Sequence, residues 1–171
     1  MNIEASLLGN ATRMLYQKSY YKALGTLEKL MALGTNDPET VYLCAICCFI
    51  TGRYNKAMEI SEEMQAKWPG DVKTNELHKH FQSKTCQEYQ SAIECCYRFI
   101  QQGRMRKALK MLEKHTEITE TTVLPLKIMA NIYLLHNRRR KALQCYLKVL
   151  RIDASDPDAL SYLTNTEVEH E

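Results

Sequence analysis

The segment NIYLLHNRRRKALQCYL (131–147) holds two apolar runs on either side of four consecutive basic residues, Arg138 to Lys141. Two other segments share its pattern, ICCFITGRYNKAMEI (46–60) and CYRFIQQGRMRKALKML (96–112). In each, an apolar run with helical spacing ends at Gly or Asn, and a basic side chain and an alanine then open a second such run. The pattern is therefore an internal repeat made of a helix, a turn and a second helix.

Four alanines and four small residues define the period of this repeat. The alanines are Ala23, Ala57, Ala108 and Ala142, and they are separated by 34, 51 and 34 residues. A small residue lies twelve positions before each of them, at Ala11, Ala45, Cys96 and Ala130. Small side chains at facing positions allow two antiparallel helices to cross closely. A period of 34 residues is typical of tetratricopeptide repeats (TPR), and the chain resembles TPR proteins over most of its length.

The repeats predict an all-α fold, a TPR-type superhelix of helical hairpins that forms a single domain over residues 1–171. We expect four hairpins, at about residues 4–33, 38–67, 87–115 and 121–152. Because the spacing of 51 residues exceeds one period by half a repeat, an unpaired helix is expected at about 71–86, between the second and third hairpins. Asp37-Pro38 and Asp156-Pro157 are typical of helix starts, and the second of these predicts a C-terminal capping helix at about 156–170.

The composition limits the classes of function. The 171 residues are 45% hydrophobic and 25% charged, as in ordinary globular domains. No apolar run approaches the ~20 residues that cross a bilayer, and the N-terminal segment lacks the basic start and apolar stretch of a signal peptide. The sequence thus predicts a nuclear and/or cytoplasmic protein without a membrane partner, in which the seven cysteines are mostly reduced.

No constellation of side chains in the sequence is typical of an enzyme. Cys44 and Cys48 share one face of a predicted helix but Cys47 does not, whereas zinc requires four converging ligands. His78 and His80 are two positions apart on a predicted helix, so their side chains diverge. We find no phosphate loop, nucleophile elbow or paired carboxylates. We predict no catalytic residue, metal, cofactor or small-molecule substrate, and we interpret the cysteines as packing residues.

The first helices of stacked hairpins line the concave groove of such a superhelix, and here they carry large apolar side chains. The predicted groove residues are Leu8, Leu15, Tyr16, Tyr42, Ile46, Phe49, Ile50, Ile93, Tyr97 and Ile100. Because soluble monomers rarely expose a large contiguous apolar patch, we predict a two-fold homodimer through this groove. The central contacts are expected to be Leu15, Tyr16, Tyr42, Phe49 and Ile50. The alternative is that the unpaired helix, or another part of the chain, covers the groove.

A rival use of the groove is the carboxylate clamp of chaperone-binding TPR proteins, in which Lys and Asn side chains hold the C-terminal carboxylate of a peptide. Lys127 and Asn131 match one step of that clamp, but the matching residues of neighbouring repeats are missing. A monomeric peptide-binding adaptor or co-chaperone is therefore the alternative to a homodimeric scaffold.

The charge is unevenly distributed along the chain. Residues 98–151 carry a net charge of +10, whereas residues 1–97 carry −1 and residues 152–171 carry −6. The basic turn residues Arg138, Arg139, Arg140 and Lys141 belong to the positive part. Aromatic residues are not interleaved with the basic ones, which argues against nucleic acid. The basic turn is either a solvated loop or the contact site of an acidic protein, and we predict the latter as the partner.

A narrower resemblance rests on the order of three segments, ETVYLCAICCFITGRYNKA, IECCYRFIQQGRMRKAL and KIMANIYLLHNRRRKALQCYLKVLRIDASDPDALSYL. They resemble the N-terminal domain of the TPR scaffold subunits of the anaphase-promoting complex (cyclosome), nearest to the subunit that receives its activators. The resemblance implies a non-catalytic, homodimerising subunit of a nuclear ubiquitin ligase that acts in mitosis and cell division, with other subunits of the complex as partners. The second, C-terminal TPR array of that family has no counterpart here, so we expect either a domain of a longer protein or a reduced homologue.

Overall fold

Helical hairpins build most of the described chain. The computed structural model describes residues 3–115 and 120–168, with side chains up to residue 165. Within these ranges the chain forms ten helices and no strand, which confirms the predicted all-α class. No helix among the described residues is long and apolar enough to cross a membrane.

Four hairpins and two further helices follow one another along the chain. The first three helical units are α1 (Ile3–Tyr16) with α2 (Tyr20–Ala32), α3 (Pro38–Ile50) with α4 (Tyr54–Lys67), and the single helix α5 (Val72–Gln82). The others are α6 (Lys84–Gln101) with α7 (Met105–Glu113), α8 (Leu124–Leu135) with α9 (Arg139–Ile152), and α10 (Pro157–Val168). Helix α5 packs against both helices of the second hairpin, so it stacks on that hairpin without a partner of its own.

Capping residues set where several of these helices begin. Asp37 accepts a hydrogen bond from the Thr40 amide at 3.0 Å, and Asp156 accepts one from the Ala159 amide at 3.0 Å, which confirms both predicted helix starts. Ser83 separates α5 from α6, because its backbone is extended and its Oγ accepts from the Cys86 amide at 3.3 Å. The unpaired helix therefore ends at residue 82 and not near 86, since the sequence pattern did not reveal this serine cap.

Small side chains hold the two helices of each hairpin together. All eight residues that define the period are fully buried: Ala11, Ala23, Ala45, Ala57, Cys96, Ala108, Ala130 and Ala142. In the third hairpin the Cys96 thiol lies 3.9 Å from the carbonyl oxygen of Ala108, which shows how closely the helices cross. This is the packing of a TPR-type hairpin, and it confirms the predicted fold class.

A cluster of aromatic rings joins the second hairpin to α5 and α6. The aromatic cluster consists of Phe49 on α3, Tyr54 on α4, Phe81 on α5 and Tyr89 on α6. Ring centroids are 5.9 Å apart for Phe49 and Phe81 and 5.6 Å apart for Tyr54 and Tyr89, with tilted or edge-on geometry. The cluster thus fills the junction that the extra half repeat creates.

The fourth hairpin returns to the second hairpin. Thr122 donates to the Phe49 carbonyl at 2.7 Å, and the Val123 amide donates to the Ile50 carbonyl at 2.9 Å. The bond from Val123 satisfies the Ile50 carbonyl at the C-terminal end of α3. The bond from Thr122 adds to the one that the Phe49 carbonyl accepts from the Gly52 amide at 3.1 Å. Gly52, with φ +86°, permits the close approach, because an added Cβ there would lie 3.0 Å from the Leu124 Cβ.

The fourth hairpin also reaches the first, through a contact that we call the end closure: Lys18–Lys22 against Asp153–Ser155. The Tyr21 amide donates to Asp153 Oδ2 at 3.1 Å, and the Lys22 amide donates to Ser155 Oγ at 3.2 Å. The Ala154 amide donates to the Lys18 carbonyl at 2.9 Å. Asp153 is fully buried. Because it accepts a hydrogen bond from the Tyr21 amide, it caps the N-terminal end of α2 although the two residues are 132 positions apart in the sequence.

Replacing the buried carboxylate should weaken the fold. We expect Asp153→Ala to lower the free energy of unfolding by about 2 kcal/mol, because it leaves the Tyr21 amide and Ser155 without their charged acceptor. Urea denaturation followed by circular dichroism measures this change. Glu63→Ala, which removes an exposed carboxylate from α4, is the matched control. Equal stability of the two variants would show that the end closure contributes nothing to folding.

Candidate protein-interaction site

Helix α1 presents the most exposed part of the predicted groove. Leu8, Leu15 and Tyr16 lie seven and eight positions apart, so they share one side of the helix. Tyr16 is 88% exposed and Leu8 is 40% exposed, while Leu15 is half-buried. Helix α1 packs on α2, and Ala11 is its one fully buried side chain within Ile3–Tyr16. We call Leu8, Leu15 and Tyr16 the α1 surface.

The groove residues of α3 are less accessible than those of α1. Tyr42, Ile46 and Ile50 are half-buried and pack against the core. The Lys73 ammonium of α5 lies 4.8 Å from the centroid of the Tyr42 ring. The unpaired helix therefore covers part of the predicted groove, as the alternative interpretation of the sequence expected.

The structure corrects the role predicted for Phe49. Its side chain is only 7% exposed, because Phe81 and Tyr89 enclose it within the aromatic cluster. A side chain at this depth offers no surface to a partner, so the prediction that Phe49 is a central dimer contact is wrong. The helical spacing placed Phe49 on the groove side correctly, but α5 and α6 occupy that side.

The groove residues of α6 divide between two environments. Ile93 is buried, whereas Tyr97 is exposed, and both line a pocket against the start of α8. Ile100 is half-buried and packs on the main core. Tyr97 is therefore the accessible groove residue of α6.

The ion pairs of Lys127 argue against a carboxylate clamp. Its ammonium lies 3.1 Å from Asp156 Oδ2 and also contacts the Asp158 carboxylate at the start of α10. Burial alone lowers the pKa of Lys127, but the hydrogen bonds and charges of Asp158 and Asp156 outweigh it and raise that pKa. Asn131 accepts a hydrogen bond from the Tyr146 hydroxyl at 3.3 Å. Both groups are thus already engaged within the chain.

The basic turn, which consists of Arg138 before α9 and the first three residues of α9, is exposed. Arg138, Arg139, Arg140 and Lys141 are all exposed, and Asn137 before them has φ +54°. The Lys141 ammonium lies 5.5 Å from the centroid of the Tyr133 ring. Its accessible cations make this turn a candidate contact site for an acidic surface.

Six of the seven cysteines are buried within the helices, and Cys95 is half-buried. Cys44, Cys47 and Cys48 are buried, and burial raises the pKa of Cys47 to about 12. Burial likewise raises the pKa of Cys96 to about 11. The Cys47 and Cys96 thiols therefore stay protonated at neutral pH and are poor nucleophiles. The described residues contain no group of three or more His, Cys, Asp or Glu side chains that could hold a metal ion.

Comparisons with known proteins found similarity to solved structures at a low level. No model of a known protein family matches the chain, and no curated protein matches it. The crystal structure of TTC0263, a thermophilic TPR protein in Thermus thermophilus, aligns at 19% identity and a TM-score of 0.42, covering 94% of this chain and 97% of that chain. MamA from Desulfovibrio magneticus RS-1 aligns at 15% identity and a TM-score of 0.40, covering 99% and 97%. Similarity at this level assigns no function, and the TPR-type fold rests on the period and the hairpin packing.

The burial of Phe49 has a direct consequence for stability. We expect Phe49→Ala to lower the free energy of unfolding by about 3–5 kcal/mol, because it empties the centre of the aromatic cluster. Leu135→Ala, at a side chain that is 74% exposed on α8, should change it by less than about 0.5 kcal/mol. Urea denaturation with circular dichroism compares the two. A Phe49→Ala variant as stable as wild type would place this ring outside the core.

Proposed function

We propose that this protein is a non-catalytic scaffold for protein–protein interaction. The observation that carries the proposal is the α1 surface, where Leu8 and Tyr16 are exposed beside half-buried Leu15. Tyr and other aromatic side chains are enriched at protein interfaces, and exposed apolar patches mark interaction sites. The TPR-type hairpins beneath supply a rigid support for such a surface.

The finer proposal is that the α1 surface joins two copies of the chain in a two-fold homodimer. In such a dimer the same patch serves both partners, so an apolar strip needs no complementary charge. Tyr16 is the central anchor in place of Phe49, since its ring is almost entirely accessible. The half-buried residues Tyr42, Ile46 and Ile50 of α3 extend the contact at its edge.

A more specific proposal concerns the assembly in which the scaffold acts. We propose that the chain is the N-terminal domain of a TPR scaffold subunit of the anaphase-promoting complex, a nuclear or cytoplasmic ubiquitin ligase of cell division. The order of the three segments that resemble this domain supports the proposal. The basic turn then meets an acidic neighbouring subunit. A monomeric peptide-binding adaptor is the second candidate, but the ion pairs of Lys127 with Asp156 and Asp158 count against its carboxylate clamp.

The homodimer is tested by mass. We expect the wild type to elute at twice the chain mass in size exclusion with light scattering, and the double variant Leu8→Glu, Tyr16→Glu to elute as a folded monomer. A central aromatic contact typically contributes ~2 kcal/mol or more, which is about 30-fold in Kd. Leu135→Glu, at an apolar position that is 74% exposed on another hairpin, should remain dimeric. A wild type that is monomeric at high micromolar concentration would refute the homodimer.

The assembly is tested by affinity capture. Tagged wild-type chain in a dividing-cell extract should retain subunits of the ubiquitin ligase, identified by mass spectrometry. Replacing Arg138, Arg139 and Arg140 with Glu should abolish the capture of an acidic neighbouring subunit. The circular dichroism spectrum should stay unchanged, because an exposed turn contributes little to packing. The loss should shrink as salt rises. Capture of chaperones alone would favour the adaptor instead.

A further inference from the structure

A pocket of about 460 Å³ opens where the second, third and fourth hairpins meet. Its walls are the α3–α4 turn with the first turn of α4, one face of α6, and Leu124 at the start of α8. We call it the junction pocket. Pockets of a few hundred Å³ are typical of ligand and side-chain binding sites. The half repeat and the return of the fourth hairpin create this one, so it is separate from the α1 surface.

One wall of the junction pocket attracts negative charge. Arg53 and Lys56 line it, and they lie at the N-terminal end of the 14-residue helix α4. No side chain among the described residues caps that end, and its first turn contains no acidic residue. Arg53 contacts Glu28 and Lys56 contacts Glu59, each at 3.4 Å, but both pairs are exposed. Exposed pairs of this kind contribute little and are readily exchanged.

Another wall of the pocket is apolar. Ile93 and Tyr97 of α6 face it together with Leu124, and Tyr97 is 45% exposed. Tyr54 also lines the pocket, is 8% exposed, and has a hydroxyl without a hydrogen-bond partner among the described residues. The Tyr54 hydroxyl oxygen has almost no accessible surface and its ring belongs to the aromatic cluster, so Tyr54 contributes apolar surface to the pocket.

The polar residues of α6 restrict where a negative charge can sit. Gln90 and Glu94 line the pocket, and the Gln90 amide donates to Glu94 Oε1 at 3.3 Å. Glu94 repels an anion on this side, whereas Arg53 and Lys56 attract one on the α4 side. The charges therefore favour an occupant whose acidic groups point to α4 while its apolar group rests on α6 and α8.

We propose that the junction pocket binds a short peptide segment of a partner protein in which acidic residues flank one large apolar side chain. The apolar side chain inserts against Ile93, Tyr97 and Leu124, and the acidic residues meet Arg53 and Lys56 at the N-terminal end of α4. This site rests on the proposed scaffold function and assigns it a second contact, independent of self-association.

Fluorescence anisotropy with a defined probe tests the pocket. The probe is a fluorescein-labelled, C-terminally amidated peptide with the core Glu-Asp-Phe-Asp-Glu, and the protein is the full chain. We expect saturable binding to the wild type. Lys56→Glu and Tyr97→Ala should each raise Kd about tenfold or more, because each removes one of the two recognised features. Lys79→Glu, the same charge change at an exposed position on α5, should alter Kd less than about twofold.

Matched peptides and the oligomeric state complete the test. A probe with Gln and Asn in place of the acids, and a probe with Ala in place of Phe, should each bind at least about tenfold more weakly. Light scattering should give Lys56→Glu the wild-type mass, so failure of this site is distinguishable from failure of the scaffold surface. Absent binding by the wild type, or equal Kd values for wild type, Lys56→Glu and Tyr97→Ala, would overturn the proposal. Loss of binding only after reversal of Arg138, Arg139 and Arg140 would also overturn it, by placing the peptide at the basic turn.

Discussion

The close crossing of paired helices at small side chains is the constraint on which the rest of the structure depends. Ala57 and Ala45 in the second hairpin, and Ala142 and Ala130 in the fourth, are buried without remaining accessible surface. Because the helix axes approach so closely there, each hairpin is a rigid unit whose outer faces must be covered by a neighbour or by solvent. Every surface of the protein follows from how these rigid units stack.

The extra half repeat redirects that stacking. Helix α5 takes the place beside the second hairpin, and the aromatic cluster around Phe49 and Tyr89 binds it to α6. The path of the chain then brings the fourth hairpin back to the second through Thr122, and to the first through Asp153. The stack is therefore tied together at several points, whereas in an open solenoid each repeat contacts only its neighbours.

These ties determine which surfaces remain for partners. The middle of the predicted groove is filled from within the chain, as Phe49 and half-buried Ile46 show. Helix α1 keeps Tyr16 and Leu8 accessible at one end, and the basic turn keeps its cations accessible on the last hairpin. The proposed dimer contact, the proposed acidic-partner site and the junction pocket occupy separate places, so in these proposals the binding of one partner does not exclude another.

Much of the architecture could be predicted from the sequence because it depends on local, periodic chemistry. The 34-residue period predicted the hairpins, and small residues such as Ala108 predicted where the paired helices cross. Asp37 with Pro38 predicted the start of a helix. The helix face of the α1 surface and the place of the basic turn in the last hairpin also follow from local pattern. Periodicity assigns a helix face, however, and does not reveal what lies against that face.

Contacts between distant segments decided the remainder. Phe49 lies on the predicted face, yet only the packing of α5 and α6 buries it. Lys127 has the type and spacing of a clamp residue, yet the carboxylates of Asp156 and Asp158 engage it. The bond from the Tyr21 amide to Asp153 joins residues 132 positions apart. The sequence by itself thus determined the repeating unit, whereas the tertiary structure decided which side chains remain accessible, because accessibility depends on the path of the whole chain.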